Sequence, residues 1–182
     1  TMRPGAVSDR AEPARVRILL ARSGGVDVEL QAAPPVATGL VRLALDDEPV
    51  DSADPWLQHK TTRRDVYEAA ALRHPEADDV VLVNERGELT ETTTANLAVE
   101  LGGRWWTPPP SSGCLPGVER SRLLGSGLLR ERVLTVADLH LATDIAVLNS
   151  LRGWRRARLD AASGSVPHPT GAAVGTSPGG GS

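Results

Sequence analysis

Val16, Ile18 and Leu20 fall on alternate positions among Arg15, Arg17 and Leu19, and after Ser23-Gly24-Gly25 the alternation resumes at Val26, Val28 and Leu30. A period of two broken by a glycine turn predicts a hairpin. Residues 31–39, with Pro34-Pro35, interrupt the pattern and read as a linker. Val41 to Leu45 predicts a short strand, and Asp51 to Trp56 is rich in turn formers. From about Arg63 to His74 the residues Val66, Ala69, Ala70 and Arg73 recur at spacings of three and four, which predicts a helix. Asp79 to Asn84 contains the continuous apolar run of a buried strand, turned by Glu85-Arg86-Gly87. Thr94 to Leu101 alternates, with Ala95, Leu97, Val99 and Leu101 on one face and Thr94, Asn96, Ala98 and Glu100 on the other. Gly102-Gly103 turns it into Arg104–Thr107, a second hairpin. After the loop from Pro108 to Gly113, Pro116-Gly117 opens a helix predicted from Val118 to Leu129. A strand over Arg132 to Val136 follows, then a short helix through Leu141 with Thr135 as its cap. Ile145 to Leu148 is read as the last buried strand, ending at Asn149-Ser150-Leu151-Arg152-Gly153.

Mixed strands and helices of this kind give an α/β (mixed α+β) fold class. The core must be built from Val, Leu, Ile and Ala, because the 182 residues include no Phe and only one Tyr. Residues 1–13 and 161–182 are expected to be disordered, the latter because Gly, Ser, Pro, Ala and Thr bury too little to offset the entropy of ordering. A net charge of −3, with Arg63-Arg64 and Arg155-Arg156 as short basic pairs, argues against a nucleic-acid footprint. The single Cys114 excludes an intrachain disulfide and reads as a small buried side chain in a reducing compartment. No apolar stretch approaches a membrane span, and no leader pattern is seen, so a cytoplasmic location is expected.

Taken singly, no charged residue stands out; order and spacing together do. The run Glu91-Thr92-Thr93-Thr94-Ala95-Asn96-Leu97 resembles the signature of class-IV pyridoxal-phosphate aminotransferases. Thr107 and Leu115-Pro116-Gly117-Val118-Glu119-Arg120 continue it. Ala98 stands where an aromatic is usual and Trp105 where an aliphatic or Phe is usual; both read as packing changes. His59-Lys60-Thr61-Thr62-Arg63-Arg64 resembles the segment carrying the cofactor lysine. Val147-Leu148-Asn149-Ser150-Leu151-Arg152-Gly153 resembles the second phosphate loop, in the form found in aminodeoxychorismate lyases. The likeness covers residues 15 to about 160 and is strongest to lyase domains fused behind a chorismate-using synthase component.

The resemblance implies the large C-terminal domain of the class-IV fold over residues 40–160, preceded by the last hairpin of the small domain at 14–30 and the linker at 31–39. Most of the small domain, which in the family lends an arginine to the cofactor phosphate, is expected to be missing. The implied cofactor is pyridoxal 5'-phosphate, held by Lys60, which is also the general base and for that work must be partly desolvated. Glu91 is implied at the pyridine nitrogen, where a carboxylate keeps the ring protonated. Arg64 is placed at the cofactor's phenolic oxygen, at the substrate or on the surface. The Val118 and Glu119 amides are implied at the phosphate, with the Glu119 carboxylate turned away. Ser150 adds a hydroxyl there, Arg152 is assigned to a substrate carboxylate, and Asn96 is read as structural. No metal is expected. The implied reaction converts 4-amino-4-deoxychorismate to 4-aminobenzoate and pyruvate, in a homodimer, with the synthase component as a possible further partner. Two other readings stay open: a transaminase acting on amino acids, and a remnant that keeps the fold without activity.

Overall fold

The computed structural model describes residues 13–35 and 38–160. The expected disorder of the N-terminus, apart from Pro13, and of the tail lies outside the described residues. The strands are β1 (Ala14–Leu20), β2 (Val26–Ala32), β3 (Val41–Leu45), β4 (Asp79–Val83), β5 (Leu89–Thr92), β6 (Asn96–Leu101), β7 (Arg104–Thr107), β8 (Leu129–Glu131), β9 (Asp144–Asn149) and β10 (Gly153–Leu159). The helices are α1 (Asp65–Arg73), α2 (Val118–Gly125) and α3 (Val136–His140), with short 3-10 turns at Pro55–Gln58 and Pro110–Ser112.

β1 and β2 form a sheet of their own, in which Val16 faces Leu30, Ile18 faces Val28 and Leu20 faces Val26. Gly24, at φ 88°, makes the turn in a region that side-chain-bearing residues avoid. The other eight strands form one sheet in the order β5-β4-β3-β10-β9-β6-β7-β8. β3 runs parallel to both β4 and β10, and β7 is parallel to β8. The sheet is curled: Leu89 at the β5 edge donates its amide to the Leu134 carbonyl at 2.7 Å, meeting the chain that leaves β8 at the opposite edge.

The curl puts one face of most strands into a common core of Val41, Leu43, Val81, Leu89, Leu97, Val99, Ile145, Val147 and Ala157, closed by Leu134 and by Leu139 of α3. α3 is held by a capping box in which Thr135 and Asp138 satisfy each other's backbone amides. On the outer face α1 brings Ala70, Val66 and Tyr67 against Ala44, Val80 and Leu82. α2 brings Leu123 against Ala98, Ala146, Leu148 and Leu129. Ala98 and Trp105, the two departures from the family pattern, pack in the same cluster, with Trp105 meeting Trp154 edge-on at 4.7 Å. The bulk missing at one position is present at the other.

Four boundaries need correction. Gln31 and Ala32 belong to β2 rather than to the linker, because Ala32 still pairs with Ala14. α2 stops at Gly125 instead of reaching Leu129, since Gly127 at φ 78° turns the chain out of the helix. The strand expected over Arg132 to Val136 forms earlier, at β8, where Trp105 and Trp106 pair with Leu129 and Arg130. β9 is not the last strand: β10 follows it and lies between β3 and β9. β5 also forms as a strand where the sequence offered only the signature.

Candidate active site

Glu91 lies at the end of β5, ahead of a tight turn into β6. That turn is fixed by a buried carboxylate. Asp79 of β4 accepts hydrogen bonds from the hydroxyls of Thr92, Thr93 and Thr94 at 2.8, 2.5 and 2.6 Å. Three consecutive threonines converging on one acid leave the chain no slack, so Glu91 before them and Asn96 after them have set positions.

The Glu91 side chain is buried, and no ammonium or guanidinium bonds it. The Tyr67 hydroxyl donates to Oε1 at 2.8 Å and the Asn96 amide donates to Oε2 at 3.3 Å. Burial pushes the carboxyl up to about 7, against the favourable pull of Tyr67, the Leu115 amide, and the charges of Lys60 and Arg64. Tyr67 is on the first turn of α1, with the Arg64 guanidinium 4.8 Å from its ring centre. Arg64 donates in turn to the Thr93 carbonyl at 2.6 Å. Burial, followed by the neighbouring Glu91 charge, raises the phenol's pKa, so it stays a donor.

Lys60 sits in the loop before α1, within electrostatic reach of Glu91. It is exposed, contrary to the partial desolvation expected of it, because no element among the described residues covers that loop.

Asn96 ties this centre to α2. Its amide donates to the Leu115 carbonyl at 2.7 Å, the loop-bonding role read from the sequence. A Cβ on Gly117 would collide with Asn96 Oδ1, so only glycine fits there. Gly117 is the N-cap of α2 and supplies no side-chain cap, which leaves the first amides of the helix, those of Val118 and Glu119, without that partner. The Glu119 carboxylate turns along the helix to Arg122, at 2.7 and 2.9 Å. This removes the like-charge conflict with an anion at the helix end, and Arg122 holds the carboxyl below its usual range.

The β9–β10 turn closes the other side. Asn149 Oδ1 accepts from the Leu151 and Arg152 amides at 3.1 and 2.9 Å, and its Nδ2 donates to the Thr94 carbonyl at 3.2 Å. Ser150 and Arg152 are therefore carried on a turn pinned to the Glu91 loop, and both are exposed. Arg152 and Arg155 line a cleft of about 250 Å³ with Pro34, Pro35 and Trp154. Arg155 Nε is buried without a hydrogen-bond partner. Burial, and then the like charge of Arg152, makes it less basic than an ordinary guanidinium.

The structure sets Arg64 beside Glu91 through Tyr67 and Thr93, leaves Lys60 in electrostatic reach without a bond to it, and ties the start of α2 to Asn96 through Leu115 and the Ser150–Arg152 turn to Thr94 through Asn149. Sequence reasoning missed Tyr67, Asp79 and Arg155. Tyr67 could have been found: it follows Val66 and precedes Ala70 by three, on the packed side of α1. Asp79 gave no sequence signal, and Arg155 showed only as half of the basic pair Arg155-Arg156.

Two other clusters carry less. Asp46, Asp47 and His74 lie within metal-ligand distance of one another, but both Asp46 oxygens are taken by Arg73, at 2.8 and 2.5 Å. Cys114 is buried as expected and its thiol is pushed up to about 12, chiefly by burial, so it is no nucleophile at neutral pH. No helix among the described residues is long and apolar enough to cross a membrane.

Comparison with known proteins bears on the family and the fold. A Schizosaccharomyces pombe protein named "Putative aminodeoxychorismate lyase" is 32% identical over 147 residues, which cover 76% of this chain and 64% of that protein. The chain therefore spans less than two thirds of that relative's length. The crystal structure of a "Putative amino-acid aminotransferase" from Mesorhizobium loti superposes with a TM-score of 0.77 at 38% identity, covering 81% of this chain and 73% of the other. That of a "Putative 4-amino-4-deoxychorismate lyase" from Legionella pneumophila gives a TM-score of 0.68 at 29% identity, covering 79% and 57%. The family model described as amino-transferase class IV matches residues 5–159, and the chain belongs to that family.

Proposed function

We propose that this chain binds pyridoxal 5'-phosphate and acts on 4-amino-4-deoxychorismate, giving 4-aminobenzoate and pyruvate. The observation that carries the reading is Glu91: a buried carboxylate held only by neutral donors, with a lysine nearby and an uncapped helix end tied to it through Asn96. The donor set fits the cofactor. A buried acid without a cation of its own suits a pyridine N–H, and free amides at a helix N-terminus suit a phosphate.

When bound, pyridoxal phosphate supplies an electron sink for negative charge developing beside an amine-bearing carbon. The chain's own groups do the rest. Glu91 accepts the ring N–H and keeps that proton in place. The Val118 and Glu119 amides and the Ser150 hydroxyl hold the phosphate. Lys60 holds the cofactor and then takes the proton from the substrate carbon. Arg152 pairs with a substrate carboxylate; Arg155, which lines the same cleft, reinforces the positive field there. Arg64, left open between cofactor, substrate and surface, gains a role of its own. Its guanidinium is engaged with Thr93 and Tyr67, so it braces Glu91's neighbours.

The likeness to the S. pombe and L. pneumophila proteins supports the lyase over the transaminase, as does the Asn149-Ser150-Leu151-Arg152-Gly153 turn. The likeness to the M. loti structure supports a transaminase of amino acids as the second reading. A homodimer in the cytoplasm, with a chorismate-using synthase component as a further partner, goes with the first.

The test is the visible absorption of the chain after adding pyridoxal phosphate, beside Lys60→Ala. A protein-bound cofactor band in the parent, absent in the variant, is the expected result. Pyruvate release from aminodeoxychorismate, against 2-oxo acid formation from amino acids, then separates the two enzymes. No band in either protein would sink both and leave the non-catalytic reading.

A further inference from the structure

Tyr67 belongs to none of the motifs that define the family likeness, yet among the described side chains it makes the shortest hydrogen bond to the buried acid Glu91. Its phenol donates to Glu91 Oε1 at 2.8 Å, while the Asn96 amide reaches Oε2 at a weaker 3.3 Å. The ring is fixed on two sides. It packs in the cluster of Ala44, Val80, Leu82 and Ala70, and the Arg64 guanidinium lies 4.8 Å from its centre. α1 carries Tyr67, and the loop that runs into α1 carries Lys60, so one segment of chain brings both groups to Glu91.

We propose that Tyr67 is a positioning residue for Glu91: its phenol keeps the buried acid ionised and aimed, so that a proton shared with a bound pyridine nitrogen stays on the ring. The inference rests on the cofactor reading above and deepens it. The chemistry is a competition for one proton. A carboxylate in an apolar setting draws the proton from a pyridinium, leaving two neutral partners. A donor on the carboxylate's other oxygen favours the charged acid and so leaves the proton on nitrogen. The groups facing Glu91 are Tyr67 and Arg64 beside α1, Lys60 in the preceding loop, Asn96 from β6, and the Cys114 thiol and Leu115 amide from the loop before α2. Among the side chains only Tyr67 and Asn96 bond it, and only Tyr67 does so at full strength.

Tyr67 is the sole tyrosine of the sequence, so global incorporation of a fluorinated tyrosine alters this hydroxyl alone. The experiment compares the parent, Tyr67→Phe and the fluorotyrosine-labelled chain. The first readout, on ligand-free protein, is the infrared titration of the Glu91 carboxyl, assigned with Glu91→Gln. The second is the ultraviolet spectrum of bound 4-deoxypyridoxine 5'-phosphate, which has the ring nitrogen and phosphate but no aldehyde, and which reports ring protonation. Losing the phenol should raise the Glu91 midpoint by about one to two pH units and lower the pH at which the bound ring gives up its proton. The more acidic fluorinated phenol should move both the other way, at unchanged fold. Opposite shifts from two changes that both preserve the aromatic ring are not what a packing role gives. If the parent binds the analogue and neither substitution moves either readout, Tyr67 is only a core residue and the proposal is wrong while the cofactor reading stands. If the parent binds no analogue, the cofactor reading fails and takes this inference with it.

Discussion

Among the described residues three carboxylates are buried at or beside strand ends, Asp46, Asp79 and Glu91, and the first and last of them are satisfied in opposite ways. Asp46, just past β3, is met by a guanidinium: Arg73 spans both its oxygens, Nε at 2.8 Å and Nη2 at 2.5 Å. Glu91, at the end of β5, is met by a phenol and an amide, and its carboxyl is displaced up to about 7 by burial. The Asp46 pair is closed, with no bonding capacity directed at a ligand. The Glu91 site is left without a cation of its own, a state that costs stability and that a cation arriving from outside would relieve. Neutral donors alone do not separate the two, since Asp79 is closed by three threonine hydroxyls and fixes a turn; what sets Glu91 apart is a carboxyl displaced up to about 7 with only one full-strength side-chain donor and a lysine within electrostatic reach.

Breaking the closed pair should have the largest effect. Arg73→Ala strips the buried Asp46 charge of its guanidinium and leaves only the His74 ring, 3.4 Å away, beside it, which should cost about 3–5 kcal/mol. Urea denaturation would show this as a lower midpoint with the slope unchanged. A loss within 0.5 kcal/mol, on the order of a neutral surface change, would mean that the pair is not what holds Asp46. Glu91→Gln should act in the opposite sense. The folded chain keeps the Glu91 proton up to about pH 7, while the unfolded chain releases it near the ordinary value of 4.5. Between those limits the folded state binds more protons, so stability is greatest below the window and falls as pH rises through it, by roughly 3 kcal/mol in all. Above pH 7 the loss is complete. The variant should lack this slope and be more stable than the parent at pH 8, while binding cofactor analogues less well. Denaturation curves at pH 5 and pH 8 decide it: the same pH slope in both proteins would place the titrating group elsewhere.

How much of this was legible in the sequence depended on whether side-chain pattern or context sets the element. β3, β4, β6 and β7 were readable because apolar alternation or an apolar run marks them. α1 was readable because its packed residues repeat at helical spacing. β10 was not: Arg155, Arg156 and Arg158 make it look like a solvated run, yet Ala157 is buried at its centre and the strand lies between β3 and β9. β5 was hidden for a related reason, since its Thr90, Glu91 and Thr92 are buried polar groups whose partners, Leu82, Tyr67, Asn96, Asp79 and Ala95, lie outside the strand. The site divides the same way. Family likeness pointed to Lys60, Glu91 and the phosphate loops. Tyr67 became visible only when α1 was laid against the β5–β6 turn, because a hydrogen bond between residues 24 apart leaves no local trace. The β1–β2 hairpin teaches the converse. Its pattern was clear, but the six aliphatic residues on its one apolar face are all more than half exposed, so alternation predicts a strand and not its burial.

The smallest expected effect sharpens the contrast between the two kinds of support that Glu91 receives. Lys60 is exposed and acts on Glu91 only through space, a lesser influence than the hydrogen bond from Tyr67. Lys60→Ala should raise the Glu91 midpoint by a fraction of a pH unit, less than Tyr67→Phe does. The two shifts should also differ in kind. A charge at the surface is screened by salt, whose screening length falls to about 3 Å at 1 M, whereas a hydrogen bond inside the protein is not. Titrating both variants at low and high salt therefore separates them: the Lys60→Ala shift should vanish and the Tyr67→Phe shift should persist. If salt abolished both, Glu91 would be open to solvent, and the difference drawn between it and Asp46 would not hold.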